Sequence, residues 1–142
     1  MHPLSNDIFK SDAEALVNPV NTVGVMGAGL ARAFREKYPK NYKLYVKACS
    51  DRTVSIGNGV AIQDGGKWII NFPTKDHWQD QSKIKYIELG LINLIDICNL
   101  IQVKSVAVPK LGCGLGGLDW KIVRPMIVSA FAATKIDLQL YE

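Results

Sequence analysis

"EALVNPVNTVGVMGAGLARAFREKY", residues 14–38, carries the reading that decides the fold. Its opening "EALVNPV" (14–20) is short and apolar and ends at Asn-Pro, the pattern of a buried strand. Its close, "GLARAFREKY" (29–38), sets Leu30, Ala31, Ala33 and Phe34 on neighbouring faces and stops before Pro39, as a helix should. Between them "NPVNTVGVMGAGLA" (18–31) is a glycine-rich connection from strand to helix. The same succession recurs near the C-terminus. "SVAVP" (105–109) is a short apolar strand, "PKLGCGLGGLDW" (109–120) is a second glycine loop, and Asp119 is placed to cap a helix reaching about Thr134. Pro125 is expected in the first turn of that helix, where its missing N–H does least harm.

Working outward, "NYKLYVKACS" (41–50) predicts a second short helix. "GVAIQDGGKWIINFP" (59–73) predicts two strands about Asp64-Gly65-Gly66, a hairpin signal. Ile84, Ile87, Leu91, Leu94, Cys98 and Ile101 step by three and four along a long helix, with Ser82 as the expected cap. "IDLQLYE" (136–142) closes as a strand. Strand, loop, helix, repeated, gives an α/β chain with a mixed sheet between helices.

The 142 residues suit one domain, 1–142, and 48% apolar residues suffice for a core without staples. Cys49, Cys98 and Cys113 are an odd set with no paired spacing, and only His2 and His77 could join a metal site. A disulfide framework and a zinc centre are therefore not expected. With no signal-peptide pattern and no long apolar run, the chain reads as a soluble protein of a reducing compartment. A net charge of +4 leans towards an anionic partner, and seven basic residues fall between Arg32 and Arg52. Solvated helix faces are the commoner explanation of such runs, so the charge permits nucleic acid as a partner without establishing it.

The two loops share one physical logic. Without a β-carbon the backbone can approach a ligand closely, and a helix N-terminus behind each loop adds aligned N–H donors for an anion. Ligands of open α/β sheets sit beyond the carboxyl ends of the strands, so paired loops suit two linked phosphates. Neither loop ends in Gly-Lys-Ser/Thr, and neither matches the dinucleotide fingerprint with its downstream acid. "IINFPTKDHW" (69–78) adds a lysine just past a strand end, a rigid mount for a side chain.

Taken together, "NDIFKSDAEALVNPVNTVGVMGAGLA", "INFPTKDHW" and "PKLGCGLGGLDW" resemble the macrodomains, and more narrowly those of DarG-type antitoxins that strip ADP-ribose from DNA. The resemblance implies a three-layer α/β/α fold with a mixed, mostly parallel sheet. It implies an ADP-ribosyl glycohydrolase acting on thymidine in single-stranded DNA, with ADP-ribose as ligand and product and no cofactor or metal. It further implies a cytoplasmic monomer, with no membrane association and with a DarT-type ADP-ribosyltransferase toxin as cognate partner.

By the same resemblance Asp7 and Ile8 meet the adenine, Asn6 standing where the family writes glycine. Asn21 holds distal-ribose hydroxyls. Thr22, Val23, Gly24, Val25, Met26, Gly27, Ala28, Gly29 and Leu30, with Thr74, and then Gly112, Cys113, Gly114, Leu115, Gly116 and Gly117, wrap the diphosphate and that ribose. Ala28 stands where such antitoxins often carry lysine. Lys75 is the implied catalyst, as a Schiff-base nucleophile or as a fixed positive charge on the departing base. Protein-directed relatives add an aspartate at the position of Gly116. His77, two residues from Lys75 and on its face if the segment is extended, is an acid–base candidate, with loop anchoring the alternative. Asp119 suits a cap better than an acid. Trp120 suits packing, and Trp78 suits either packing or base stacking. A non-catalytic ADP-ribose-binding module, and a hydrolase of ADP-ribosylated protein or O-acetyl-ADP-ribose, stay open beside the DNA-directed reading.

Overall fold

The computed structural model describes the backbone of residues 2–4 and all of residues 7–142. Six strands form one sheet: β1 (His2–Leu4), β2 (Ala15–Val20), β3 (Val60–Asp64), β4 (Lys67–Pro73), β5 (Ser105–Val108) and β6 (Asp137–Tyr141). They lie in the order β1-β6-β5-β2-β4-β3. Every neighbouring pair is parallel except β3 and β4, the antiparallel hairpin. Its turn residues Gly65 and Gly66 have φ of 60° and 80°, the left-handed pair that a tight hairpin of this twist needs. The β1 strand was not expected from the sequence, and Asn6 lies outside the described residues.

Four helices cover the sheet: α1 (Gly29–Lys37), α2 (Pro39–Ser50), α3 (Ile84–Ile101) and α4 (Trp120–Ala132). Alternation along the strands sorts them into layers. Val17, Ile70, Phe72, Val106, Val108 and Leu140 turn to the face where α3 and α4 supply Ile87, Leu91, Val123 and Ile127. Leu16, Ile69 and Ala107 turn the other way, to Phe34 of α1 and the turn at Ile8. Val20 meets Tyr45 of α2 and Met26 on that same side. The result is the three-layer α/β/α sandwich.

Two local expectations need correction. Lys83, not Ser82, is the N-cap of α3, and it makes no side-chain cap. Ser82 instead packs under the second glycine loop, its Oγ buried and without a hydrogen-bond partner. The last helix starts at Trp120, which leaves Pro125 inside it rather than in its first turn. The bond that residue 125 would donate to the Lys121 carbonyl is therefore missing. Asp119 does cap α4, accepting from the Lys121 N–H at 2.9 Å.

Candidate functional site

A cleft of about 1170 Å³ opens beyond the carboxyl ends of the central parallel strands. It exceeds the ~300–1,000 Å³ of most small-ligand pockets, as an extended ligand would require. Three connections wall it: loop A (21–28) after β2, loop B (74–83) after β4 and loop C (109–119) after β5. Asp7 and Ile8 contribute from one end of the chain, Tyr141 and Glu142 from the other.

Loop A is shaped by one side chain. Asn21 Oδ1 accepts from the N–H groups of Val23 (3.1 Å) and Val25 (3.2 Å), and its amide donates to the Val25 carbonyl at 2.7 Å. The Tyr45 hydroxyl donates to the same oxygen at 2.9 Å, and burial pushes that phenol's pKa up, so the donor keeps its proton. Below, Asn18 donates to Asn71 Oδ1 (3.2 Å), and Asn71 and Asn41 exchange bonds of 2.8 and 3.1 Å. This buried amide cluster ties β2, β4 and α2 together directly under the loop. Past it, α1 begins at the cleft wall. Ala28 offers no side-chain cap, so the N–H groups of Gly29, Leu30 and Ala31 have no acceptor among the described residues, and all three residues line the cleft.

Loop C is shaped by its backbone. Leu118 N–H donates to the Gly112 carbonyl (2.9 Å), and Gly117 N–H to that of Gly114 (3.2 Å). The N–H groups of Gly112, Gly114, Leu115 and Gly116 have no acceptor among the described residues, and all four residues line the cleft. Cys113 is half-buried. Burial raises its thiol pKa, Lys110 pulls the other way and Asp119 adds to the rise, so nothing here activates it as a nucleophile.

Loop B is stitched to both of these. Thr22 gives its N–H and hydroxyl to the Asp76 carbonyl, each at 3.0 Å, while Ser82 N–H donates to the Gly116 carbonyl at 3.0 Å. Lys75 lines the cleft from this pinned segment, its Nζ donating to the Trp78 carbonyl at a long 3.4 Å. The amine therefore shares its cleft with two sets of unpaired backbone donors.

The Macro domain family model matches residues 17–127, most of the chain and all three loops. The chain belongs to the macrodomain family. It is 50% identical over 131 residues to the DNA ADP-ribosyl glycohydrolase of Mycobacterium tuberculosis, which covers 89% of this chain but 37% of that protein. Among solved structures it is similar to the macrodomain of Thermus aquaticus DarG, with a TM-score of 0.95, 40% identity, and 99% and 97% of the two chains covered. It also resembles Thermosipho africanus DarTG in complex with ADP-ribose, with a TM-score of 0.90, 36% identity, and 98% and 40% covered. This macrodomain thus spans about two-fifths of the length of these longer relatives.

Within it, most expected residues meet in the cleft: Asp7, Ile8, Asn21, Val25, Gly27, Ala28, Gly29, Leu30, Thr74, Lys75, Gly112, Cys113, Gly114, Leu115 and Gly116. Others stand back from its wall. Met26 is buried, 1% exposed, packing on Val20 and Tyr45 as the floor of loop A. Thr22 is the tether to Asp76, and Val23 and Gly24 belong to the Asn21-bound turn. Gly117 lies beyond the lining, near Gln81. His77 also lies off the cleft wall. The segment past Thr74 is bent rather than extended, so the shared-face argument for Lys75 and His77 does not apply. His77 Nδ1 accepts from the Gln79 N–H at 3.1 Å, the geometry of a loop anchor.

Gly116 cannot host the acid of the protein-directed relatives in this conformation. A β-carbon there would collide with the Gly112 carbonyl oxygen and lie 2.5 Å from Ser82 Oγ. Sequence reasoning missed Tyr141, Glu142 and Lys110 on the wall. Only the position of Lys110, at the start of loop C, hinted at it. It also missed the asparagine cluster, which no motif announces because its members are 23 to 53 residues apart in the chain.

Proposed function

We propose that this macrodomain hydrolyses the N-glycosidic bond between ADP-ribose and thymidine in single-stranded DNA, opposing a DNA ADP-ribosyltransferase. Water adds across the bond, releasing ADP-ribose and the unmodified base. One observation carries the reading: the free amides of loop C and of the α1 N-terminus share a cleft with the Lys75 amine. Amide donors of that kind suit a diphosphate, and a cation in the same cleft suits the sugar carbon at which the bond breaks. The names of the similar proteins, a DNA ADP-ribosyl glycohydrolase and a DarTG in complex with ADP-ribose, support the same substrate. The collision at Gly116 favours DNA over glutamate-linked ADP-ribose, because it removes the acid used in the protein-directed chemistry.

Lys75 can serve in two ways. As a nucleophile it displaces the base, forms an imine with the opened sugar and is released by water. As a fixed cation it stabilises charge on the departing thymine. Borohydride trapping separates them, since only the imine leaves a reduced adduct on the Lys75 peptide.

The test is Lys75→Ala on thymidine-linked and glutamate-linked ADP-ribose in parallel. Turnover on the DNA substrate should fall by about 100-fold or more, while calorimetry finds ADP-ribose affinity within a few-fold of wild type. Equal turnover by both proteins removes Lys75 from the chemistry. A wild type inert on every linkage, yet binding ADP-ribose, would make this a reader module.

A further inference from the structure

Beyond the groups that suit the diphosphate, three large apolar side chains stand exposed on the cleft wall, one from each loop: Val25 at 38%, Trp78 at 50% and Leu115 at 75%. Tryptophan is mostly buried in folded proteins, so an indole left half open at a cleft calls for a ligand. Its orientation is controlled. The His77 ring lies 5.2 Å from it, tilted by 30°, and is itself fixed by the Gln79 N–H. The Trp78 carbonyl receives the Lys75 amine. The indole and the amine are thus parts of one turn, held to loop A through Thr22 and to loop C through Ser82.

We infer that Trp78, backed by His77 and sharing the cleft wall with Leu115, is the subsite for a planar base on the far side of the reacting sugar, and so determines specificity for nucleobase-linked ADP-ribose. This rests on the glycohydrolase reading above. The argument is chemical. The Lys75 amine meets the Trp78 carbonyl and both residues line the cleft, so a group leaving the carbon that Lys75 addresses has the indole within its surroundings. A flat aromatic face with aliphatic neighbours takes a stacked base well and a glutamate side chain poorly. Three side chains form too small a patch for a protein partner, and the chain's net charge of +4 suits a strand whose bases it stacks. His77 in this arrangement is a positioning residue for the indole.

The experiment measures affinity without turnover, in a Lys75→Ala background. Calorimetry compares free ADP-ribose with an oligonucleotide carrying ADP-ribose on a single unpaired thymidine. Adding Trp78→Ala should weaken oligonucleotide binding about tenfold and leave ADP-ribose binding within twofold, while Trp78→Phe restores most of the loss. In the catalytically intact chain the same change should raise KM more than it lowers kcat. Equal losses for both ligands would place Trp78 over ADP-ribose itself and overturn the subsite. Unchanged oligonucleotide affinity would overturn it too. Because affinity is read independently, a failure of hydrolysis in the wild type remains distinguishable from a failure here.

Discussion

Loops A and C look alike in sequence and are held in unlike ways. Loop A takes its shape from the Asn21 side chain and the Tyr45 hydroxyl, and its glycines stand largely clear of neighbours. A β-carbon at Gly27 would touch only Val25 Cγ1, at 3.5 Å, and one at Gly24 would come no nearer than 3.6 Å to Cys49 Cβ. Loop C has no organising side chain within it and folds back on its own backbone. There a β-carbon at Gly112 would lie 2.8 Å from Leu118 Cδ1, and one at Gly116 would strike the Gly112 carbonyl oxygen. Glycine at Gly27 keeps the wall of loop A open, whereas at Gly112 and Gly116 it lets loop C pack on itself. A glycine count cannot separate these causes.

Three substitutions break or sharpen that contrast. Gly116→Ala should do the most damage, since backbone cannot move as a flexible side chain does. Destabilisation of about 2–3 kcal/mol is expected in urea melts, together with at least a tenfold loss of ADP-ribose affinity. Asn21→Ala comes next. It orphans the Val23 and Val25 N–H groups and leaves the Tyr45 hydroxyl only the Asn21 backbone carbonyl, costing about 1–2 kcal/mol, with a smaller, several-fold loss of affinity. Gly27→Ala should be nearly silent in the same melts, within about 0.5 kcal/mol. If it matched Gly116→Ala, loop A would be as tightly self-packed as loop C and the distinction would collapse.

The regular elements were legible because their signals are local. The strand at 15–20, the hairpin and the four helices all follow from periodicity and punctuation within ten to twenty residues. The failures were of another kind. Ser82 reads as a cap by position, yet its side chain is drawn under loop C, over thirty residues away in sequence. Pro125 reads as a first-turn residue, but capping by Asp119 starts the helix early enough to enclose it. Met26 sits in a ligand-like motif and is spent on the core, because the turn made by Asn21 directs it inward. For Ser82 a contact distant in sequence overrode a sound local rule, whereas for Pro125 and Met26 one local signal overrode another.

By itself, then, the sequence determined the layered α/β arrangement, the two glycine loops at strand ends and the lysine mounted between them. Each of these rests on neighbours in the chain, where sterics and hydrophobic periodicity act directly. Tertiary structure alone decided which amides stay unpaired, that Gly116 has no room for a side chain, and that Trp78 stands open beside Lys75. Those depend on which loops are stitched together across the sheet, through bonds such as Thr22 to Asp76 and Ser82 to Gly116, whose partners no local pattern specifies.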